Sequence, residues 1–364
     1  MKKLAVLTAV LLLLAGCAGK APAATEAPTE EPVQIFTELP TEVPTEPPTE
    51  APTEPQPEHF LLTFVGDCTL GSNYKKEGRT TSFKNTVGQD FDYPMVHVRD
   101  YFVTDDYSFA NLEGTLGDKG KIFAKDFIFR GDEAFTQILT RGGVEGVTLA
   151  NNHSMDYRQE GYDETKRILE EANLDYVEHL GTTMVTTESG LNIGLFAVDF
   201  LRGEPGEEEI REAIGQLRED GAELVICAYH WGRENTYRPT KDQIQMGHLA
   251  IDAGADIVWG HHPHVLQPIE EYNGGVICYS LGNFVFGGNT DPKDYDTAII
   301  RQEVIRQPDG TVTLGQRTVI PCALSSNPKR NNYQPVPYAA DSDEYARAVR
   351  KLAGEYNGNS LTAD

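Results

Sequence analysis

The stretch "TKDQIQMGHLAIDAGADIVWGHHPHV" (240–265) contains the pattern that decides the fold. Residues 240–255 carry apolar side chains at helical spacing, and the apolar run that follows, 256–260, is typical of a buried strand. Three histidines then occupy positions 261, 262 and 264. A protein core seldom needs so many imidazoles together. The cluster therefore indicates either metal ligands on a turn at the end of a strand or a chance group on a solvated loop, and the first hypothesis requires further ligands elsewhere.

Strand and helix patterns alternate along the chain on the N-terminal side of this stretch. Strands are predicted at 59–67, 107–114, 144–150, 191–200 and 222–230, and helices at 132–143, 161–174 and 207–220. After the histidines, three β-type segments follow without helices between them: 276–286, 296–305 and 311–320. This order predicts an α/β fold with a largely parallel sheet, outer helices and added antiparallel strands near the C-terminus.

The N-terminus has the pattern of an export signal. Two lysines precede an apolar run, and small residues lead to "LAGC", which ends at Cys17. This ending resembles the bacterial lipobox, in which the cysteine is lipidated; the alternative is an ordinary signal peptide with an incidental cysteine. We therefore predict a lipoprotein signal peptide at 1–17 and a protein anchored by lipid on the extracellular face of the bacterial cell membrane.

The next segment, 18–58, repeats the triplet "PTE" and has almost no large apolar residues. It is predicted to be a disordered stalk, because it cannot bury enough surface to offset its ordering entropy. A folded domain is predicted at 59–330, followed by a C-terminal tail with a surface helix at 331–364. The formal net charge is −25, and the absence of a basic stripe argues against nucleic acid as a partner.

Chemically capable residues stand at the ends of several predicted strands, where ligands of open α/β sheets bind. Carboxylate and amide oxygens together with imidazoles are suitable ligands for divalent transition metals such as zinc or iron. Asp67 and Glu113, taken alone, could instead cap turns. The full set at the strand ends is Asp67, Glu113, Asn152, His153, His230, His262 and His264.

Six motifs in order give these residues a family context. They are "VGDCTLG" (65–71), "NLEG" (111–114), "LANNHSMDY" (149–157), "HWGREN" (230–235), "GHHPHVLQ" (260–267) and "SLGNFVF" (280–286). Their order resembles the calcineurin-like metallophosphatases, and the motifs themselves resemble more closely the CapA branch, the poly-γ-glutamate capsule synthesis proteins. The resemblance runs from about residue 60 to 322. It implies a two-sheet α/β sandwich flanked by helices, with metals at the strand ends.

The same resemblance implies roles for individual positions. His153 would aid catalysis, with Asp156 orienting it, since such a histidine usually has a second partner. His261 is expected to be an extra residue that points elsewhere. Apart from the resemblance, Arg233 and Asn283 are the predicted substrate contacts, because Arg233 follows the His230 strand and could clamp a carboxylate or phosphate, and Asn283 lies in a segment expected at the pocket rim. The metal ligands would be Asp67, Glu113, Asn152, His230, His262 and His264.

The first motif departs from the metallophosphatase pattern. Those enzymes have Asp-x-His, whereas Asp67 is followed by Cys68 and Thr69. One metal position therefore lacks an imidazole, and Glu113 is longer than the bridging aspartate of the phosphatases. The predicted cofactor is one or two divalent ions (Zn, Mn or Fe).

The expected function is that of a surface-anchored, metal-dependent, hydrolase-like protein acting in extracellular poly-γ-glutamate or related polymer metabolism. Its substrate would be an anionic polymer or a phosphoester. One alternative is a non-catalytic component that binds or tethers polymer together with membrane subunits of a synthesis complex. A second is a cell-wall phosphoesterase unrelated to polyglutamate.

Overall fold

A computed structural model describes residues 55–358 of the chain. The predicted signal peptide and nearly all of the predicted stalk lie outside the described residues. The strands are β1 (Glu58–Thr69), β2 (Ser72–Asn73), β3 (Tyr107–Leu112), β4 (Thr115–Leu116), β5 (Phe129–Gly131), β6 (Gly146–Thr148), β7 (Asp175–Val177), β8 (Thr182–Thr186), β9 (Asn192–Asp199), β10 (Leu224–His230), β11 (Ile257–His261), β12 (Ile269–Tyr272), β13 (Gly275–Cys278), β14 (Asn283–Phe286), β15 (Asp296–Arg306), β16 (Val312–Ala323) and β17 (Val336–Pro337).

The α-helices are α1 (Phe83–Val87), α2 (Thr136–Gly142), α3 (Arg158–Glu171), α4 (Glu207–Glu219), α5 (Lys241–Asp252) and α6 (Asp343–Leu352). The helix predicted at 240–255 is α5. Its start is fixed by a capping box, in which Thr240 and Gln243 each accept a hydrogen bond from the backbone N–H of the other. Across residues 55–358, none of the helices has both the length and the apolar character that crossing a membrane requires.

Two large sheets form the body of the domain. The first has the strand order β17-β16-β15-β1-β3-β6-β7, with β14 also paired to β1. The second has the order β12-β13-β11-β10-β9-β8. Strands β1, β3, β6 and β7 run parallel, as do β9, β10, β11 and β13, whereas β15–β17 are antiparallel. The predicted parallel core with late antiparallel strands is confirmed.

The two sheets pack face to face through apolar side chains. Phe64 stacks on Phe109 with ring centroids 5.1 Å apart, and both rings contact Trp259 of the second sheet. The indole N–H of Trp259 donates a 2.9 Å hydrogen bond to the carbonyl of Val65, so the only polar atom of this side chain is satisfied. Burying each such ring contributes about 1.5–3 kcal/mol, which makes this interface a main source of stability.

Helices cover the outer faces of both sheets. Buried residues of α1, α2 and α3 form one core cluster with the first sheet, and buried residues of α4 and α5 form another with the second. The order of layers is therefore helix, sheet, sheet, helix. This arrangement confirms the predicted two-sheet sandwich flanked by helices.

The segment predicted as a single strand at 276–286 is divided between the two sheets. Strand β13 belongs to the second sheet, and β14 pairs in parallel with β1 of the first. The crossing allows Gly66 and Gly282 to approach closely: a Cβ on Gly66 would lie 1.9 Å from the carbonyl oxygen of Gly282. The prediction was wrong because both halves are buried and apolar, and periodicity alone does not show a change of sheet.

The C-terminal part was predicted as a tail with a surface helix, but one face of α6 is buried. Ala348 and Leu352 belong to the core between the sheets. Lys351 is 2% exposed, and its ammonium lies 2.5 Å from Asp294 and 2.7 Å from Asp296. The predicted surface character is therefore wrong for this face. The charged composition of the helix concealed a lysine that is buried because it is paired.

Candidate metal centre

The carboxyl ends of strands from both sheets meet at one edge of the sandwich. The first sheet supplies Asp67 near the end of β1 and Glu113 directly after β3. The second supplies His230, the last residue of β10, and the histidines that follow β11. Parallel strands direct their carboxyl ends to the same side, which is why residues distant in sequence become neighbours here.

Asp67 is fully buried and has three polar neighbours. Its Oδ1 accepts a 2.8 Å hydrogen bond from the amide of Asn111 and lies 3.0 Å from Nδ1 of His261, and its Oδ2 lies 3.0 Å from Nδ1 of His264. Burial opposes ionisation, but the two histidines hold the pKa of Asp67 well below its usual value. His261 was expected to point elsewhere; it contacts Asp67 instead.

Glu113 faces the same space with neither carboxylate oxygen satisfied. Oε1 lies 3.8 Å from Nε2 of His264 and 3.9 Å from Nε2 of His230. Both oxygens are buried, and neither has a hydrogen-bond partner among the described residues. Burial raises the pKa of Glu113 to about 8, although the charge of His264 opposes the shift. A buried carboxylate without a partner is costly unless a cation compensates it.

Two groups of side chains can each hold a metal ion, and they share one histidine. Asp67, Glu113 and His264 have ligand atoms that all lie within 4.8 Å of one another, and so do Glu234, His262 and His264. Buried nitrogen atoms of His230 and His262 add further donors without hydrogen-bond partners among the described residues. Oxygen and imidazole donors in this combination fit Zn, Mn or Fe.

Two histidines of the second sheet, His230 and His262, favour the neutral form that metal ligands must have. For His264, burial lowers the pKa, but the carboxylates of Glu113 and Asp67 outweigh it and raise the pKa to about 10. Burial lowers the pKa of His262 to about 3, and the charge of His264 adds to this effect. Burial also holds the pKa of His230 well below its usual value. His230 Nε2 lies 3.0 Å from Oδ1 of Asn152, which brings this asparagine to the cluster.

The backbone of the histidine loop is strained. His262 has φ +92° and His264 has φ +55°, both in the left-handed region that side-chain-bearing residues rarely adopt. Such residues cost on the order of 1–3 kcal/mol each, and they occur most often at functional sites. This left-handed backbone conformation directs two imidazoles from one short loop toward the carboxylates of the first sheet.

His153 lies beside the cluster and is held by two residues. Its Nδ1 lies 2.8 Å from Oδ2 of Asp156 and 3.1 Å from the ammonium of Lys125. Burial lowers the pKa of His153, while Asp156 acts in the opposite direction. Asp156 thus makes the contact expected for an orienting residue. Lys125 was not predicted, because it lies in the segment 117–128, which has no motif and no regular periodicity.

A chain of buried amides links His153 to Asp67. Asn111 donates to Asp67, Asn151 donates to Oδ1 of Asn111 at 2.9 Å, and the backbone N–H of His153 donates to Oδ1 of Asn151 at 3.1 Å. Each amide is thereby fixed in one orientation. The paired asparagines in the sequence "LANNH" drew attention to Asn152, but only the structure shows what Asn151 does.

The two predicted substrate contacts differ in position. Asn283 lies at the cluster, since its Oδ1 is 3.0 Å from Nδ1 of His264. Arg233 is exposed and lines two cavities that contain none of the clustered ligands. Its neighbour Glu234 takes part in the cluster instead. The turn after β10 determines whether Arg233 or Glu234 faces inward. The sequence pattern alone did not predict which of the two it would be.

A cleft of about 110 Å³, here called the aromatic cleft, opens beside the cluster. Its walls combine phenyl rings with polar groups of the site. Phe129 packs against the ring of His153, with centroids 4.5 Å apart. The residues that define the aromatic cleft are His153, His264, Asn283, Phe127, Phe129 and Phe286. A bound molecule in this cleft would contact both His153 and His264.

The family described as bacterial capsule synthesis protein PGA_cap matches residues 61–288, which include all the clustered side chains. The chain belongs to this family. It is 30% identical to the capsule biosynthesis protein CapA of Bacillus anthracis, over 81% of this chain and 74% of that protein. It is 28% identical to the PGA biosynthesis protein CapA of Bacillus subtilis, over 81% and 78% respectively.

Solved structures give weaker likenesses to this member of the PGA_cap family. The NAD nucleotidase of Haemophilus influenzae aligns with a TM-score of 0.39 at 12% identity, covering 85% of this chain and 64% of that one. A purple acid phosphatase from yellow lupin aligns with a TM-score of 0.32 at 11% identity, covering 72% and 53%.

Proposed function

We propose that this protein is a surface-anchored, metal-dependent hydrolase acting in the synthesis or processing of extracellular poly-γ-glutamate or a related polymer. One observation carries the hydrolase part. Buried carboxylate and imidazole groups without partners among the described residues converge from both sheets, and an oriented histidine stands beside them. The polymer part is supported by membership of the PGA_cap family and by the two CapA relatives.

The metal would be held by residues of the two groups. Asp67, Glu113 and His264 would bind one ion, with Glu234 and His262 contributing to a second position. Asn152 and His230 contact each other at the edge of the cluster and would complete the ligand set. A bound divalent ion supplies Lewis acidity, which polarises a carbonyl or phosphoryl oxygen and makes water more acidic.

The protein's own residues supply orientation and proton handling. Asp156 and Lys125 engage Nδ1 of His153, which leaves Nε2 as the ring nitrogen that can hand a proton to a leaving group or accept one. Phe129 packs on the imidazole and limits its rotation. Asn283 orients the ring of His264 through a polar contact, with its Oδ1 3.0 Å from Nδ1 of that histidine.

The test combines metal content with turnover. The purified full-length protein should contain a divalent transition metal and should hydrolyse either γ-glutamyl oligomers or a phosphoester from a panel of both. Hydrolysis of phosphoesters alone would indicate a cell-wall phosphoesterase instead. Protein that acquires no metal from Zn, Mn or Fe solutions would contradict the proposal.

Thr69 favours one alternative, a non-catalytic component that binds or tethers polymer. It stands where metallophosphatases have the first-motif histidine, and its buried hydroxyl has no hydrogen-bond partner among the described residues. In that case the metal would serve structure or polymer binding, and His153→Ala would leave polymer output unchanged at equal protein level.

Attachment to the membrane is a separate part of the proposal. It rests on the lipobox-like "LAGC" ending at Cys17 and on the Pro/Thr/Glu-rich stalk that follows it. A lipid-anchored domain on a stalk would reach polymer emerging from membrane subunits of a synthesis complex. These subunits are the proposed partners besides the polymer itself.

A further inference from the structure

A second cavity, of about 530 Å³, lies at the loop that carries Asn152. Asn152 lines this cavity, whereas His153 lines the aromatic cleft. The segment 123–129 contributes to both spaces, because Phe123 and Lys125 line the new cavity and Phe127 and Phe129 line the cleft. Both spaces therefore open at neighbouring residues of the chain, Asn152 and His153.

The second cavity is basic in a strongly acidic protein. Three cationic side chains, Lys125, Arg158 and Arg202, line it. Asp156 is the one carboxylate among the lining residues, and its oxygens are engaged by Lys125 at 2.5 Å and by His153 at 2.8 Å. The positive charge that no lining carboxylate engages therefore comes from the two arginines, although the charge of Arg202 also acts on Asp199 outside the lining. We call this space the basic cavity.

The two arginines have the character of ligand-binding groups. Both are exposed, and within residues 55–358 neither guanidinium group has an ion-pair or hydrogen-bond partner. Arg158 lies 5.5 Å from the ring centroid of Phe123, and its backbone has φ +62°. This backbone conformation belongs to the turn that leads into α3, in which the N–H of Arg158 donates a 2.9 Å hydrogen bond to the carbonyl of Met155.

Apolar side chains also line the basic cavity. Phe123 is 49% exposed and Leu201 is 46% exposed, and Met155 contributes to the same wall. Two guanidinium groups suit two single negative charges, since each planar fork binds one carboxylate through two parallel hydrogen bonds. The apolar side chains of the same cavity suit methylene groups. A chain that alternates carboxylates with short methylene segments has both features.

We infer that the basic cavity is a subsite for the α-carboxylates of a γ-linked glutamyl chain, with Arg158 and Arg202 as its carboxylate contacts. This inference rests on the proposed function, and it adds which side of the site the polymer occupies. The subsite places a glutamyl unit next to Asn152, with the adjoining bond near His153. Specificity for the polymer would come from this cavity, and the chemistry from the metal centre.

The test is equilibrium binding of a fluorescent γ-glutamyl decamer to the full-length protein. Arg158→Gln and Arg202→Gln should each weaken binding about tenfold, the usual effect of losing a hydrogen bond between charged groups. Arg350→Gln is the matched control, an exposed arginine in the last turn of α6 that lines none of these spaces, and it should bind like the wild type. The decamer with its α-carboxylates amidated should bind no better to wild type than to the arginine variants.

Decamer binding and hydrolysis can be lost independently, so the measurements distinguish the carboxylate subsite from the hydrolase activity. His262→Ala should lose metal and hydrolysis but should bind the decamer through the arginines. If the wild type hydrolyses nothing yet shows arginine-dependent binding, the hydrolase proposal fails and the subsite stands. Unchanged decamer binding in Arg202→Glu, with a normal unfolding temperature, would overturn the subsite. Tighter binding of a glycerol-phosphate polymer than of the decamer would also overturn it, because the cavity would then be a phosphate site.

Discussion

The ammonium of Lys125 lies 2.5 Å from one oxygen of Asp156, and the other oxygen of Asp156 lies 2.8 Å from Nδ1 of His153. Lys125 also donates a 2.7 Å hydrogen bond to the carbonyl of Asn152. Lys125 comes from a loop without regular structure. It therefore fixes both Asp156, which orients His153, and the backbone carbonyl of Asn152, the residue directly before His153.

Replacing this lysine should slow turnover without removing metal. Lys125→Met should reduce kcat about 10–100-fold, the usual effect of losing a residue that orients the site, while metal content stays at the wild-type level. Lys125→Arg should restore part of the rate. Lys121→Met, at an exposed position in the same loop, is the control and should have no effect. Equal loss of rate in both loop variants would point to loop disorder instead.

His153 and His262 should have separable roles. His153→Ala should keep its metal and lose about 10²–10⁴-fold in rate, as expected for a proton-transfer residue. His262→Ala should lose both metal and activity, measured by elemental analysis and turnover. His248→Ala changes a histidine that stacks on Tyr272 away from the site, and both readings should remain normal. Metal loss of the same size in His153→Ala would make His153 a ligand.

Stability should fall as the pH rises toward neutrality, in part because of Glu145. Burial raises the pKa of Glu145 to about 7 from its ordinary 4.5, and the backbone N–H of Ser108, which donates to its Oε2, opposes the shift. Between these two values the folded protein holds a proton that the unfolded chain has released, so stability decreases with rising pH. Burial also raises the pKa of Asp105, to about 6, so part of the slope comes from this neighbour.

Glu145→Gln removes this charge and keeps an oxygen for the Ser108 N–H. At pH 8 the variant should be about 1 kcal/mol more stable than the wild type, less than the full shift implies because the carboxyl is partly solvated. Urea unfolding at pH 5, 6, 7 and 8 measures the difference. A wild-type curve and a variant curve that stay parallel over this range would contradict the assignment.

The buried lysine of α6 should contribute strongly to stability. Lys351→Met leaves the carboxylate of Asp294 without its ammonium partner, whereas Asp296 keeps two bonds to Arg347. Breaking a buried ion pair on one side typically costs about 3–5 kcal/mol. Urea denaturation should show a loss of this order, and Arg350→Gln in the same helix should lie within 0.5 kcal/mol of wild type. A loss below about 1 kcal/mol would mean that water reaches Asp294.

Membrane attachment should depend on Cys17. In cell fractionation, Cys17→Ala should move the protein from the membrane to the soluble exported fraction. Firm attachment by acyl chains requires more than one chain, so lipid analysis of the wild type should find a diacylated terminus. A variant that remains as firmly membrane-bound as the wild type would remove the lipoprotein hypothesis.

The sequence indicated which polar residues lie at or near the ends of buried strands, because each such strand is a short apolar run followed by a polar residue, although several strand bounds differ by two residues. Asp67, Glu113 and His230 are found in this way, and parallel pairing brings them to one edge. The roles of Lys125, His261 and Asn111 could not be predicted in the same way. Their importance depends on which side chain turns inward and on contacts between distant segments, neither of which has a periodic signal.

The change of sheet at Gly282 also escaped the sequence pattern. An apolar run gives the same hydrophobic periodicity whether or not it changes partners, so 276–286 was predicted as one strand. The position of Asn283 beside Asp67 follows from that crossing, since the two residues are in register between β14 and β1. Arg233 was misplaced for a related reason: the turn after β10 brings Glu234, not its neighbour, to the cluster.

The pairing of β1 with β14 and β15 has a consequence for how the chain folds. Phe64 of β1 lies opposite Ile300 of β15 in the antiparallel ladder. During synthesis β1 is therefore complete more than two hundred residues before the strand that pairs with it. Contacts so distant in sequence make folding slow, and β1 meanwhile has one unprotected hydrogen-bonding edge. A nascent or truncated chain that ends before residue 283 should therefore aggregate. To stay in solution, it should require a chaperone that shields an extended apolar segment.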